Sequence, residues 1–373
     1  MGLPKNFEYP LYHKYKSGEK NLISDVPGVS VGHTTLISSE ENIHTGVTAV
    51  LPHQGNLFLD KVLAAAEVIN GFGKTAGLIQ VQELGTIETP IILTNTLSVG
   101  TALTACVKHA LKQNPDIGVS TGTVNGLVTE CNDGRINDIR GLHIKEEHVL
   151  TAMEAAKISN AGSRDFAEGA VGAGAGMVCL GLKGGIGSAS RILTVDGRQY
   201  HIGSLVLTNF GAAGNLVIGG QHIDTRLARE YIKKAGIPGP AGTSEPAETP
   251  KDTGSIIILL ATDIPLNERQ LKRTAKRSSI ALGRTGSYCG NGSGDIAIAF
   301  TTANRVPHYS SRNILPQQMF FDENIDMVFE AAVEATEEAI LSSLWHAETT
   351  TGINGRTYMG LQDFLVQHSR CSR

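Results

Sequence analysis

Two short stretches of this chain carry side chains of the types and spacing that acyl chemistry needs. The first is Gly254-Ser255, where a polar segment meets an apolar run. A serine hydroxyl is a poor nucleophile until a base takes its proton. The 12 histidines are scattered without a recognisable motif, and no nucleophile-elbow pattern surrounds the candidate serines. Another solution is to break the chain ahead of the serine, so that its own α-amine becomes the base. Such an amine has an unperturbed pKa near ~8, within reach of neutral pH. Gly254 has no side chain, so its carbonyl is open to attack and its backbone is free to take strained angles. The same dipeptide also reads as a loop serine that merely opens a strand, and local sequence alone favours that reading.

The second stretch is Gly290-Asn291-Gly292-Ser293-Gly294-Asp295, which enters the apolar run Ile296 to Phe300. Ser293 and Asp295 are two apart, so in extended backbone they project to one face. A hydroxyl beside a carboxylate can orient a newly formed amine and stabilise its ammonium form. The alternative is an Asx- or Ser-type turn that caps a strand.

The elements that must position these residues follow from the pattern. From Gly236 to Gly254 the sequence GIPGPAGTSEPAETPKDTG has almost no large apolar side chain and reads as an exposed, flexible linker. It stops at Ser255 to Thr262, whose apolar, β-branched content predicts a fully buried strand. Further strands are predicted at Gly46 to Leu51, Pro90 to Asn95, Ser204 to Thr208 and Ile296 to Thr301. Helices are predicted over Thr101 to Lys112, Glu146 to Ser159, Arg226 to Ala235, Leu266 to Leu282 and Ile325 to Ala347. Gly286 to Gly294 reads as a glycine turn. Gly172-Ala173-Gly174-Ala175-Gly176 is a weak match to a dinucleotide fingerprint, because the glycines that follow leave no helix to receive a pyrophosphate. Glycines that let strands and loops approach closely explain it better. The alternation of strands and helices argues an α/β or α+β fold with a layered sheet core.

Composition narrows the function classes. The 373 residues include 43 glycines and only 18% charged residues, which suits a large buried sheet. A formal charge of −4 gives no electrostatic footprint for nucleic acid or an anionic membrane. The five cysteines form no CxxC pair, so neither a zinc knuckle nor a disulfide framework is indicated. Met1 to Tyr15 lacks the apolar run of a signal peptide, and no stretch is long and apolar enough to span a bilayer. The expectation is a cytoplasmic protein with no nucleic-acid or membrane partner.

Several blocks, taken in order, resemble the DmpA family of L-aminopeptidase/D-esterases, which includes the β-peptidyl aminopeptidases. They are Ser24 to Thr35, Pro90 to Thr96 with Ser98-Val99-Gly100, and Asn132-Asp133-Gly134 with Asn137-Asp138-Ile139. Leu182 to Gly187, Gly254-Ser255-Ile256-Ile257 and Gly292-Ser293-Gly294-Asp295 complete the series. The resemblance implies a four-layer αββα sandwich shared with the ornithine acetyltransferases, formed by residues 1–373 as one catalytic domain. It implies autoproteolysis into residues 1–254 and 255–373, which stay together, and a homo-oligomer of four or more protomers. Ser255 is then the nucleophile, supported by Ser293 and by Asp295, where some relatives carry Glu. Asn209 matches the oxyanion-hole asparagine, and Glu130 an acid near the substrate's ammonium group. Asn132 stands where the family leads us to expect a tyrosine, with its amide as a substitute donor.

The implied activity is removal of N-terminal residues from short peptides, amides or esters through an acyl-enzyme, with no metal or cofactor required. Rival readings are acyl transfer of the ornithine acetyltransferase type, hydrolysis of nylon-type amide oligomers, and a non-catalytic small-molecule-binding protein.

Overall fold

The computed structural model describes residues 11–161, 166–234 and 252–371. Residues 236–251 of the segment read as a linker lie outside them. One sheet has the order β1 (Ser30–Ser38), β2 (Ile43–Leu51), β5 (Ile91–Asn95), β6 (Leu127–Cys131). The other has the order β4 (Thr86–Ile87), β3 (Asp60–Gly71), β14 (Gly292–Pro307), β13 (Thr253–Thr262), β10 (Arg198–Asn209), β9 (Ile186–Val195). Two short hairpins, β7 (Val178–Cys179) with β8 (Leu182–Lys183) and β11 (Leu216–Ile218) with β12 (Gln221–Ile223), lie outside both sheets.

Side-chain alternation turns these sheets into layers, because successive residues of a strand face opposite ways. In β13, Ile257, Leu259 and Ala261 meet Val31, Val50, Ile91 and Leu127 of the first sheet in one buried cluster. The intervening Ile256, Ile258 and Leu260 face the other way, into a cluster with Leu271 and Ala275 of α5 (Glu268–Thr285) and Ala339 and Ile340 of α6 (Asp326–Trp345). Val47, Ala49, Ile92 and Val128 pack outward against α2 (Val99–Gln113) and α3 (Glu146–Ala161). The result is helices, sheet, sheet, helices. Two shorter helices, α1 (Leu78–Leu84) and α4 (Leu227–Lys234), complete the helices named here.

Local chemistry explains why the site elements run where they do. Asn267 caps α5 by accepting from the Gln270 N–H, and Gln270 returns the bond, while Gly286 ends the helix at φ 105°. The inward residues expected for α5, Leu271, Ala275 and Leu282, are all buried. The small residues of α6 let strands approach: a Cβ on Gly187 of β9 would lie 2.0 Å from the Ala339 carbonyl oxygen. The Gly172–Gly174 turn is buried for the same reason, since a Cβ on Gly172 would lie 2.4 Å from Thr48 Oγ1. It is a single 3-10 turn, and no α-helix follows it before β7.

Two boundaries differ from the expectation and both matter for the site. β14 begins at Gly292, inside the stretch read as a glycine turn, so Ser293 and Asp295 belong to a strand. β13 begins at Thr253, so Gly254 is strand rather than irregular chain. The two extensions are one feature, the parallel pairing of Thr253 with Gly292 and Gly254 with Ser293, which outweighs the poor strand propensity of glycine.

Candidate active site

Ser255 lies near the start of β13 and is 5% exposed. By register it stands opposite Asn209 on antiparallel β10 and Gly294 on parallel β14. Alternation places its side chain on the face of Ile257, in the gap between the two sheets. Gly294 makes the room, because a Cβ there would lie 2.9 Å from Ser255 Oγ and 2.8 Å from the Phe72 carbonyl oxygen. The Ser255 hydroxyl donates to the Gly254 carbonyl oxygen at 2.6 Å, so nucleophile and adjacent peptide group are already in contact.

Gly254 itself is held at φ 117°, a left-handed conformation that favours glycine. A Cβ at this position would lie 1.9 Å from the Asn209 carbonyl oxygen. Only glycine satisfies both demands.

Asn209 ends β10 on the same inter-sheet face as Ser255, as directly paired residues do. Its Oδ1 accepts from the Val178 N–H at 3.0 Å, and its Nδ2 donates to the Asn132 carbonyl oxygen at 2.9 Å. These two bonds fix the amide between the sheets. An amide nitrogen has a second N–H, so one donor remains for a ligand.

Glu130 in β6, an edge strand of the first sheet, is buried; alternation gives it the face of Val128, and its carboxylate lies beside Gly73. Its Oε1 accepts from the Lys74 N–H at 2.8 Å, and its Oε2 from the Thr96 hydroxyl. The link to Ser255 runs through glycine: a Cβ on Gly73 would sit 3.5 Å from Glu130 Oε1 and 3.9 Å from Gly294 Cα. Asn132 is exposed, and its side-chain oxygen accepts from the Gly134 N–H at 2.9 Å. Its side chain shapes that turn, and its backbone carbonyl is what holds Asn209.

Ser293 and Asp295 do share a face, as their spacing predicts, and the Ser293 hydroxyl donates to Asp295 Oδ1 at 2.6 Å. It is not the face of Ser255. Gly254 pairs with Ser293 and Ile256 with Asp295, so the hydroxyl–carboxylate pair lies on the helix side of the sheet and the Ser255 hydroxyl on the other. The register sets the pair against the backbone of the Gly254–Ser255 bond, where an amine would arise, and away from the hydroxyl. Burial pushes the Asp295 carboxyl up to about 6, the Asp252 charge adds to this, and the Ser293 hydroxyl opposes it. Asp295 Oδ2 is buried without a hydrogen-bond partner.

Sequence reasoning missed Asp252, Lys74 and Asn70. Asp252 sits inside a stretch whose composition reads as linker. Its partners are Ser287 and Tyr288, which no local pattern connects to it. Burial pushes the Cys106 and Cys179 thiols up to about 12, so neither is a rival nucleophile.

Comparison with known proteins places the chain in a family. The model of peptidase family S58 matches residues 21–358. A β-peptidyl aminopeptidase, BapA, of Sphingosinicella microcystinivorans is 40% identical over 353 residues, covering 93% of this chain and 86% of that protein. Among solved structures, the PH0078 protein of Pyrococcus horikoshii OT3 is 46% identical with a TM-score of 0.83, covering 98% of each chain. The L-aminopeptidase D-Ala-esterase/amidase of Ochrobactrum anthropi is 34% identical with a TM-score of 0.81, covering 97% of each chain. It is described as a prototype for the serine aminopeptidases and a variant of the Ntn hydrolase fold. With a family match across most of its length, sheets layered as in these structures and a serine between them, this chain belongs to peptidase family S58 and is an aminopeptidase.

Proposed function

We propose that the chain cuts itself between Gly254 and Ser255 and that Ser255 then removes the N-terminal residue of short peptides, amides or esters. The observation that carries this reading is the contact of the Ser255 hydroxyl with the Gly254 carbonyl, at a glycine no other residue can replace.

In maturation Ser255 Oγ attacks the Gly254 carbonyl carbon. The Oγ–C bond forms, the C–N bond breaks, and the hydroxyl proton passes to the leaving nitrogen. Water then hydrolyses the ester, leaving a Gly254 carboxylate and a Ser255 that carries both hydroxyl and free amine. The amine faces Ser293 and Asp295, which supply a donor–acceptor pair and a compensating negative charge. In turnover the amine takes the hydroxyl proton, and the hydroxyl attacks the substrate carbonyl. Asn209 donates to the developing oxyanion, and loss of one such donor typically costs ~3 kcal/mol of transition-state stabilisation. The leaving amine takes the proton, and water releases the acyl group.

Glu130 supplies the carboxylate that receives the substrate's ammonium group, which explains a preference for free N-termini. The relatives named β-peptidyl aminopeptidases make N-terminal β-residues part of the proposed substrate range. Residues 1–254 and 255–373 remain together as one catalytic domain, and protomers assemble into a cytoplasmic homo-oligomer of four or more copies.

The Ser255→Ala variant tests the reading. It is expected to remain one chain on a denaturing gel and to hydrolyse no peptide amide. An uncut variant with parental activity would overturn the mechanism.

A further inference from the structure

Asp252 stands three residues ahead of Ser255 and is 2% exposed. Its Oδ2 accepts from the Ser287 hydroxyl at 2.7 Å and the Tyr288 N–H at 2.9 Å. Its own N–H donates to the Tyr288 hydroxyl at 3.1 Å. Gly290 closes the grip, since a Cβ there would lie 2.1 Å from the Asp252 carbonyl oxygen. The same turn is braced from below. Asn70 Nδ2 donates to the Gly290 carbonyl at 3.1 Å, and that carbonyl also accepts from the Ser293 N–H at 2.9 Å. One turn therefore holds both the chain upstream of Ser255 and the strand that carries Ser293 and Asp295.

We infer that Asp252 is a positioning residue for self-cleavage: its carboxylate pins the acyl side of the Gly254–Ser255 bond to the Ser287–Gly290 turn. This rests on the self-cleavage reading above. Only Thr253 and Gly254 separate the anchor from the bond to be broken, and a two-residue strand end next to a polar, glycine- and proline-rich stretch frays unless tied. Attack needs the carbonyl carbon held close to Oγ at a fixed angle, and small misplacements are costly. Asp252 supplies no proton and forms no bond to the reacting atoms. Its grip keeps the Gly254 carbonyl against the hydroxyl while Oγ–C forms and C–N breaks. A peptide substrate presents a free N-terminal residue with nothing upstream, so the anchor serves maturation and has no counterpart in turnover.

The test follows conversion of freshly made, uncut full-length chain with time, by denaturing gel and intact mass. Asp252→Ala is expected to slow conversion about tenfold or more. Asp252→Asn keeps a carbonyl oxygen that accepts both bonds, and it is expected to recover most of the rate. Ser287→Ala, which keeps the carboxylate but removes one donor, is expected to slow conversion by a smaller factor. The double variant should be no slower than Asp252→Ala alone, as for groups acting through one contact. Peptidase activity at each time should track the cut fraction. If Asp252→Ala does not fold, Ser287→Ala carries the test. Parental conversion rates in both variants would overturn the inference. So would an Asp252→Ala enzyme whose activity per cut chain falls as far as its conversion rate. A parental chain that stays whole while active would instead overturn the self-cleavage reading itself.

Discussion

Ser255 and Asn209 face the space between the sheets, and Glu130 approaches from the edge strand of the first sheet past Gly73. Asn209 is fixed by the Val178 N–H and the Asn132 carbonyl, and Glu130 by the Lys74 N–H and the Thr96 hydroxyl. That Ser293 and Asp295 share a face was legible in the sequence, because residues two apart in a strand project the same way. Asp252 was not, because a buried hydrogen-bonded carboxylate looks the same in sequence as a solvated one. The face of the Ser293–Asp295 pair was also illegible, since it depends on pairing Ser255 with Gly294 and not with its neighbour. At this scale the two uses proposed for Ser255 come apart at Glu130. Self-cleavage involves no ammonium group, whereas turnover does. Glu130→Gln is therefore expected to mature at the parental rate but to lose about 10- to 100-fold in kcat/KM on peptides with a free amine, the size of a hydrogen bond to a charged group. Equal losses in maturation and turnover, measured on one preparation, would contradict that role.

The elements explain why a glycine must precede the nucleophile. β13 is a buried central strand with partners on both sides, so its start cannot shift without breaking two ladders. The strand at Ser255 to Thr262 was predictable from its apolar, β-branched run. Its extension to Thr253, and that of β14 back to Gly292, were not, because glycine-rich ends carry no hydrophobic period and are made strand by their neighbours. Gly254→Ala would force a side chain into a left-handed residue and against the Asn209 carbonyl oxygen. Strain of this kind costs on the order of 1–3 kcal/mol before the clash is counted. The expected result is a folded, thermally less stable chain with self-cleavage slowed by at least about tenfold. Time courses of cutting and melting curves measure both effects, and an alanine variant that cuts at the parental rate would remove the argument from strand geometry.

Across the whole molecule, layering was legible as α/β alternation, whereas the sheet orders were not, because they pair strands far apart in sequence. The layers bury Asp295 on the helix side of a sheet, with one oxygen unpaired and Asp252 adding to the upward push. In the uncut chain its carboxyl is raised from the ordinary value of 3.8 to about 6. The folded state therefore holds this proton more tightly than the unfolded state. The stability it lends is complete below about pH 4 and is lost as pH rises through about 6. In a Ser255→Ala background, Asp295→Asn should leave urea stability similar at pH 4 and raise it at pH 7, by on the order of 3 kcal/mol. A difference independent of pH would show that the carboxylate is not strained by its setting. The proposed cut would place an ammonium group beside that carboxylate and offset its charge. The most direct measurement is N-terminal sequencing and intact mass of purified, active enzyme. The account predicts two chains, the second beginning Ser-Ile-Ile-Ile at residue 255; one continuous polypeptide with full activity would contradict it.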